Sequence, residues 1–175
     1  MLEVEQKIPV SDLAPVRSHL KRLNARACGV SAERDVYYNA PHRDFAVTDE
    51  ALRMRYADGA CVVTYKGPKR VIGGAKVREE FNLAVESGGV CEEILLRLGF
   101  TKSAEVRKRR EIYELCGTTV ALDDVEGLGT FVEIEVICEG NGDDAASALN
   151  AVREKIGVEG SPLSSSYLEM LLATR

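Results

Sequence analysis

The chain has 175 residues, 45% of them hydrophobic and 29% charged, enough apolar material for one sizeable core and too much for a disordered chain. Its formal net charge of −5 argues against a surface built for nucleic acid or an anionic membrane. The five cysteines (Cys28, Cys61, Cys91, Cys116, Cys138) are scattered without a CxxC pair, so they read as small buried hydrophobes and not as a zinc or redox motif.

The chain opens on MLEVEQK, which has neither a basic leader nor an apolar segment. No later stretch is long enough to span a bilayer, so a cytoplasmic, reducing location is expected. Leu2, Val4 and Ile8 share one face of a first strand, with Glu3, Glu5 and Lys7 on the other. Ser11 is expected to cap a helix running to about Ala25, with Pro15 harmless in its first turn. A second strand covers about Cys28 to Asn39, and the loop PHRDFAVTDE is expected to cross the end of the sheet.

Strands at about Leu52–Ala57 and Cys61–Lys66 meet at Asp58-Gly59, a strong two-residue hairpin signal. GPKRVIGG reads as a flexible loop, followed by a strand from Ala75 to Val85 and a helix from Ser87 to Leu98 stopped by Gly99. Phe100–Leu115 and Thr118–Val125 form a long hairpin turning near Cys116-Gly117, and Thr130–Cys138 gives the eighth strand. Helices at about Asp143–Ile156 and Ser164–Ala173 end the chain. Eight strands with four helices and hairpin connections predict an α+β fold on an antiparallel sheet. Closure into a barrel would remove its edges.

Alternation puts charged sets on single strand faces: Glu3, Glu5 and Lys7; Arg53 and Arg55; Lys66; Lys76, Arg78 and Glu80; Glu133 and Glu135. Their opposite faces hold Leu2 and Val4, Leu52 and Met54, Val63 and Tyr65, Val77 and Phe81, Val132 and Ile134. One reading is that each charged face is solvated. The other is that the helices cover the apolar faces from outside, so the charges point inward and converge. The paired Arg and paired Glu favour convergence, since solvated faces mix signs with Ser and Thr. Carboxylates would then hold Mg²⁺ or Mn²⁺, and Arg and Lys would grip phosphate.

Glu3-Val4-Glu5-Gln6-Lys7 fits the E-x-E-x-K signature of the CYTH superfamily, the triphosphate tunnel metalloenzymes. LRMR (52–55), TYKGP (64–68), REE (78–80), Lys108-x-Arg110-x-x-Tyr113, LDDVEGLGTFVEIE (122–135) and SYLEML follow in the expected order. The chain therefore resembles a single CYTH domain over residues 1–175. The resemblance implies a closed eight-stranded antiparallel tunnel with helices packed outside. It also implies metal-side carboxylates Glu3, Glu5, Asp123, Glu133 and Glu135, and phosphate-side cations Lys7, Arg53, Arg55, Lys66, Arg78, Lys108 and Arg110. Lys7, Lys66 and Arg110 would be the catalytic cations, with Glu80 a further tunnel residue. Inward direction for Lys108 and Arg110 comes from the resemblance alone, because Arg107, Arg109 and Glu111 charge the other face.

Tyr37-Tyr38-Asn39, the His42–Phe45 loop, TYKGP and EGLGTFVEIE are most similar to the archaeal-type class IV adenylyl cyclase group, although Asn39 stands where that pattern has Asp. The implied reaction is conversion of ATP to cyclic AMP and pyrophosphate. The alternatives are an inorganic or organic (thiamine-type) triphosphatase and a phosphate-binding module without turnover. The implied ligands are a nucleoside triphosphate, tripolyphosphate or another organic triphosphate. Nucleic acid and membrane are not expected, and a homodimer is compatible with the reading.

Overall fold

The structure, a computed structural model, describes residues 1–139 and 142–174. In chain order it contains β1 (Leu2–Val10), α1 (Ala14–Arg22), β2 (Arg26–Asn39), α2 (Phe45–Thr48), β3 (Ala51–Ala57), β4 (Ala60–Lys66), β5 (Arg70–Ile72) and β6 (Ala75–Val85). There follow α3 (Gly88–Arg97), β7 (Thr101–Leu115), β8 (Thr118–Val125), β9 (Gly129–Cys138), α4 (Asp143–Lys155) and α5 (Tyr167–Ala173). The strands run β1-β9-β8-β7-β2-β3-β4-β6, every pair antiparallel, and β6 pairs back onto β1 to close an eight-stranded barrel. The three-residue β5 lies beside β6, outside the ring.

Tight turns set the hairpins. Asp58 and Gly59 both take positive φ between β3 and β4, as do Cys116 and Gly117 between β7 and β8, the backbone that a two-residue hairpin twist requires. GPKRVIGG is less loose than its composition suggests. Gly73 and Gly74, again at positive φ, fold Arg70–Ile72 back along β6, with Arg70 opposite Val77. Helix α1 also differs from expectation. Ser11 does not cap it; Asp12 accepts from the Ala14 amide at 2.8 Å, and the helix stops before Asn24, which is left-handed. The 40–50 loop carries the short α2, capped by Asp44.

The apolar core lies outside the barrel wall. Val4 and Ile8 of β1, Val77 of β6, Val120 and Leu122 of β8, and Val132 and Ile134 of β9 pack with Leu20 of α1 and Leu149, Val152 and Ile156 on and after α4. Tyr167 of α5 joins Tyr37, Val106 and Phe131 in a second cluster, and α3 lies over Val36, Met54 and Cys61 in a third. With apolar side chains drawn outward to the helices, period two sends the charged residues into the barrel. No helix among the described residues is long and apolar enough to cross a membrane.

Candidate active site in the barrel tunnel

The barrel encloses a cavity of about 280 Å³. Glu3, Glu5, Lys7, Arg53, Arg55, Lys66, Lys76, Arg78, Glu80, Lys108, Arg110, Glu133 and Glu135 all line it, so the charged strand faces converge. Register explains why. Across the closing seam Glu3 and Glu5 stand opposite Arg78 and Lys76, and on the other side Glu5 and Lys7 stand opposite Glu135 and Glu133. Lys108 and Arg110 point inward, whereas Arg107 and Arg109 keep 58% of their side-chain surface exposed. Glu111, on that outer face, is held by Arg17 of α1 through bonds of 2.8 Å.

Cations and carboxylates interleave; they do not form separate metal and phosphate walls. Asp35 of β2 receives both arms of Arg55 at 2.7 Å, and Lys108 sits 3.1 Å from it and 2.9 Å from Glu33. Arg110 grips Asp123 at 2.7 and 2.5 Å and also bonds Glu133. Asp123, expected among the metal-side carboxylates, is fully buried behind that pair and takes a 2.8 Å bond from the Tyr167 hydroxyl. Lys66 bridges Glu3 at 2.6 Å and Glu80 at 2.7 Å, and Lys76 reaches Glu5 at 2.6 Å. Lys7 lies between Glu5 and Glu133 with its ammonium 4.2 Å over the Tyr167 ring.

The pairing is uneven. Arg53 reaches Thr64 at 3.1 Å but stands 3.8 Å from Asp35, and its buried Nε has no partner. Arg78 spends one arm on Asp49 at 2.6 Å and leaves its Nε unpartnered as well. Glu135 makes no hydrogen bond or ion pair among the described residues. Burial pushes its carboxyl up, with Glu133 and Glu5 adding to the rise against the pull of Arg110. Burial likewise lifts Glu3 to about 8 against the pull of Lys66, with Glu5 and Glu80 adding to the rise. In contrast, Glu133 is drawn down to about 2, because Arg110 and Lys7 overcome the cost of its burial. Burial works against charge on Lys7 and Lys66 too, yet their carboxylate neighbours raise both above a free lysine.

The donor set suits a hard divalent cation, since Glu3, Glu5 and Glu135 offer carboxylate oxygens within one cavity and Glu135 makes no ion pair of its own among the described residues. No three metal-binding side chains among the described residues are already gathered as a closed site. Such an ion would have to share these oxygens with Lys66 and Lys76.

The motifs assign several residues of the tunnel no role in the site. Glu33, Asp35 and Tyr37 alternate on β2 as the inward faces of other strands do, so parity could have found them. Ser166 and Tyr167 open the SYLEML motif at the start of the C-terminal α5, and nothing local in it says that they reach the tunnel. Asn39 acts on the loop: its carbonyl accepts from the Phe45 amide at 2.8 Å and its amide donates to Asp44 at 3.1 Å.

A closed antiparallel barrel filled with buried cations and carboxylates is a tunnel built around charge. The chain belongs to the CYTH family, whose domain description matches residues 1–161. A Methanocaldococcus jannaschii protein provisionally named an adenylate cyclase is 42% identical over 135 residues, 77% of each chain. The PH1819 protein of Pyrococcus horikoshii OT3 superposes with a TM-score of 0.87 at 36% identity, over 99% of both chains. A Hippeastrum protein, provisionally named an adenylyl cyclase and described as having a dominant triphosphatase activity, shares the fold at 18% identity and TM-score 0.71, over 99% of this chain and 96% of that one.

Proposed function

We propose that this protein is a divalent-metal-dependent enzyme that takes a triphosphate into the tunnel, with cyclisation of ATP to cyclic AMP and pyrophosphate as its reaction. The observation that carries the reading is the uneven pairing. One cavity holds an unpartnered guanidinium Nε on each of Arg53 and Arg78, and a carboxylate without a direct ion pair at Glu135. A ligand that fits both deficits is a polyphosphate accompanied by a metal ion. The name of the M. jannaschii relative supports the cyclase reading.

Glu3, Glu5 and Glu135 would hold the ion, with Mg²⁺ or Mn²⁺ the candidates, and it would neutralise phosphate oxygens and polarise the reacting phosphoryl group. Arg53 and Arg78 orient the chain of phosphates through fork-like donors, while Lys66 and Lys76 add fixed positive charge for the departing pyrophosphate. Lys7 and Lys66 hold their protons more tightly than free lysines, so they serve as cations and not as proton acceptors. Burial of the whole set strengthens each of these interactions and fixes their directions before substrate arrives.

A second reading is a triphosphatase, in which water attacks the terminal phosphorus within the same charge set. The activity described for the Hippeastrum fold relative favours keeping it. Incubation of the protein with ATP or tripolyphosphate and Mg²⁺ or Mn²⁺, with separation of products, tests both. Cyclic AMP with pyrophosphate is the expected result and orthophosphate selects the triphosphatase. Binding without products would mark a phosphate-binding module and end the enzymatic reading.

A further inference from the structure

Helix α3 is lightly held, since none of its residues is buried. Its ties to the sheet include Cys91 and Leu95, which lean on the cluster around Val36, Met54 and Cys61, and Glu92, which accepts from the Tyr56 hydroxyl at 3.4 Å. The helix starts hard against one thiol of that cluster. Ser87 caps it through the Val90 amide, and Gly88 comes so close to β4 that a Cβ there would stand 3.0 Å from Cys61 Sγ and 3.1 Å from Cys61 Cβ. Cys91 is three residues on, so it shares the face that Gly88 turns to the sheet. Cβ positions three apart on a helix lie about 5–6 Å from each other, which puts the Cys61 and Cys91 side chains within reach across the α3–β4 packing. Both are free thiols, Cys61 buried and Cys91 half-buried. Burial raises the Cys61 thiol above its ordinary value, and the neighbouring Cys91 adds to the rise.

We propose that Cys61 and Cys91 form a thiol–disulfide site, which a low-molecular-weight disulfide oxidises to a bond that fastens α3 to β4. Cys91 is the thiol that solvent reaches, so its thiolate attacks one sulfur of the small disulfide, forms a mixed disulfide and releases the first small thiol. Cys61 then attacks Cys91 Sγ and displaces the second small thiol, and the Cys61–Cys91 bond remains. The two protons of the cysteines end on the two released thiols, and the two electrons that the cysteines lose reduce the small disulfide. Burial keeps Cys61 a thiol until Cys91 has reacted, which makes Cys91 the point of entry and Cys61 the resolving group. The bond closes a loop of about 30 residues, which contains β5 and β6. Cys61 lies on the outer face of β4, whereas Val62 and Lys66 line the tunnel, so the bond leaves the proposed triphosphate site untouched.

The test is incubation of the full chain with oxidised glutathione, followed by tryptic digestion without reduction and mass spectrometry. The expected product joins peptide 56–66, which carries Cys61, to peptide 79–97, which carries Cys91, and dithiothreitol separates them. The exposed Cys28 and Cys116 should carry glutathione instead. The oxidised protein should melt about 5–10 °C above the reduced one, the shift expected for a loop of this size in a chain of this length. Cys91→Ala and Cys61→Ala should each abolish the linked peptide and the shift, while Cys28→Ala and Cys116→Ala keep both. Tripolyphosphate affinity should be the same in the oxidised and reduced proteins, which separates this inference from the functional one. Glutathione retained on Cys91 with no linked peptide, a link to a different cysteine, or a linked protein that melts no higher than the reduced one would each overturn it.

Discussion

Two parts of the tunnel use the same residue types to opposite effect. Around Asp35, every charge is answered: Arg55 binds it with both arms, and Lys108 joins it to Glu33. Around Glu3 and Glu135, burial and like-charge neighbours leave the carboxyls raised, and Arg53 and Arg78 keep donors without partners. Buried ion pairs that are complete hold a structure together, and removing one partner strands the other. Buried charges that are incomplete remain open to a ligand. The first region therefore reads as the frame of the tunnel and the second as its working surface.

The largest effect should come from the frame. Arg110→Met would strand Asp123 and Glu133 in the barrel wall, and it should cost about 3–5 kcal/mol in urea unfolding. A loss below about 1 kcal/mol would mean that these carboxylates are not held by Arg110.

The Arg pair of β3 sharpens the contrast within one strand. Arg53→Ala should weaken tripolyphosphate binding by about 1.5–3 kcal/mol with little change in melting temperature. Arg55→Ala should do the reverse, because its guanidinium is already committed to Asp35 and Glu33. Arg53→Lys should recover only part of the affinity, keeping the charge and losing the fork. Equal behaviour of Arg53→Ala and Arg55→Ala in calorimetry and melts would erase the distinction between the regions.

Among the carboxylates, Glu3→Gln should leave the metal-free fold intact or slightly more stable, since it relieves repulsion from Glu5 and Glu80. Glu133→Gln should lower stability by about 1–3 kcal/mol, because Arg110 and Lys7 lose their shared acceptor. Divalent-ion dependence should vanish with Glu3→Gln, and ordinary Mg²⁺-dependent rates from that variant would remove Glu3 from the metal set.

The smallest effect lies outside the tunnel, where Arg17 lowers Glu111 to about 2 by hydrogen bonding. A depressed carboxyl favours the folded state above the unfolded pKa of about 4.5, and that contribution fades as pH falls toward 2. Arg17→Ala should flatten the acid limb of stability between those values, with its full, small loss of stability present at neutrality and absent below about 2. An unchanged acid limb in pH-dependent melts would show that the pair does not anchor α1.

How much of this was legible in the sequence depends on the strand. On β1, β3, β6 and β9 apolar and charged residues alternate cleanly, so the inward sets could be read residue by residue. On β7 both faces are charged, and period two alone could not choose between Lys108 with Arg110 and Arg107 with Arg109. The neighbours choose: β2 and β8 bring Glu33, Asp35 and Asp123 to the inner side. The same alternation runs along β2, where Arg34 puts a charge on the outer face. β5 was missed because Gly and Pro around a three-residue strand outweigh its own signal. Tyr167 is a matter of tertiary placement, delivered by a helix whose capping box of Ser166 and Glu169 marks its start but not its destination.

The central claim is that the unpaired charges of the tunnel await a polyphosphate and a metal ion. Titration calorimetry of the wild type with tripolyphosphate, with and without Mg²⁺, addresses it directly. Saturable one-to-one binding that Mg²⁺ tightens, and that Arg53→Ala weakens while Arg55→Ala spares it, is the predicted result. No binding in either condition, or binding indifferent to both Mg²⁺ and Arg53, would contradict it.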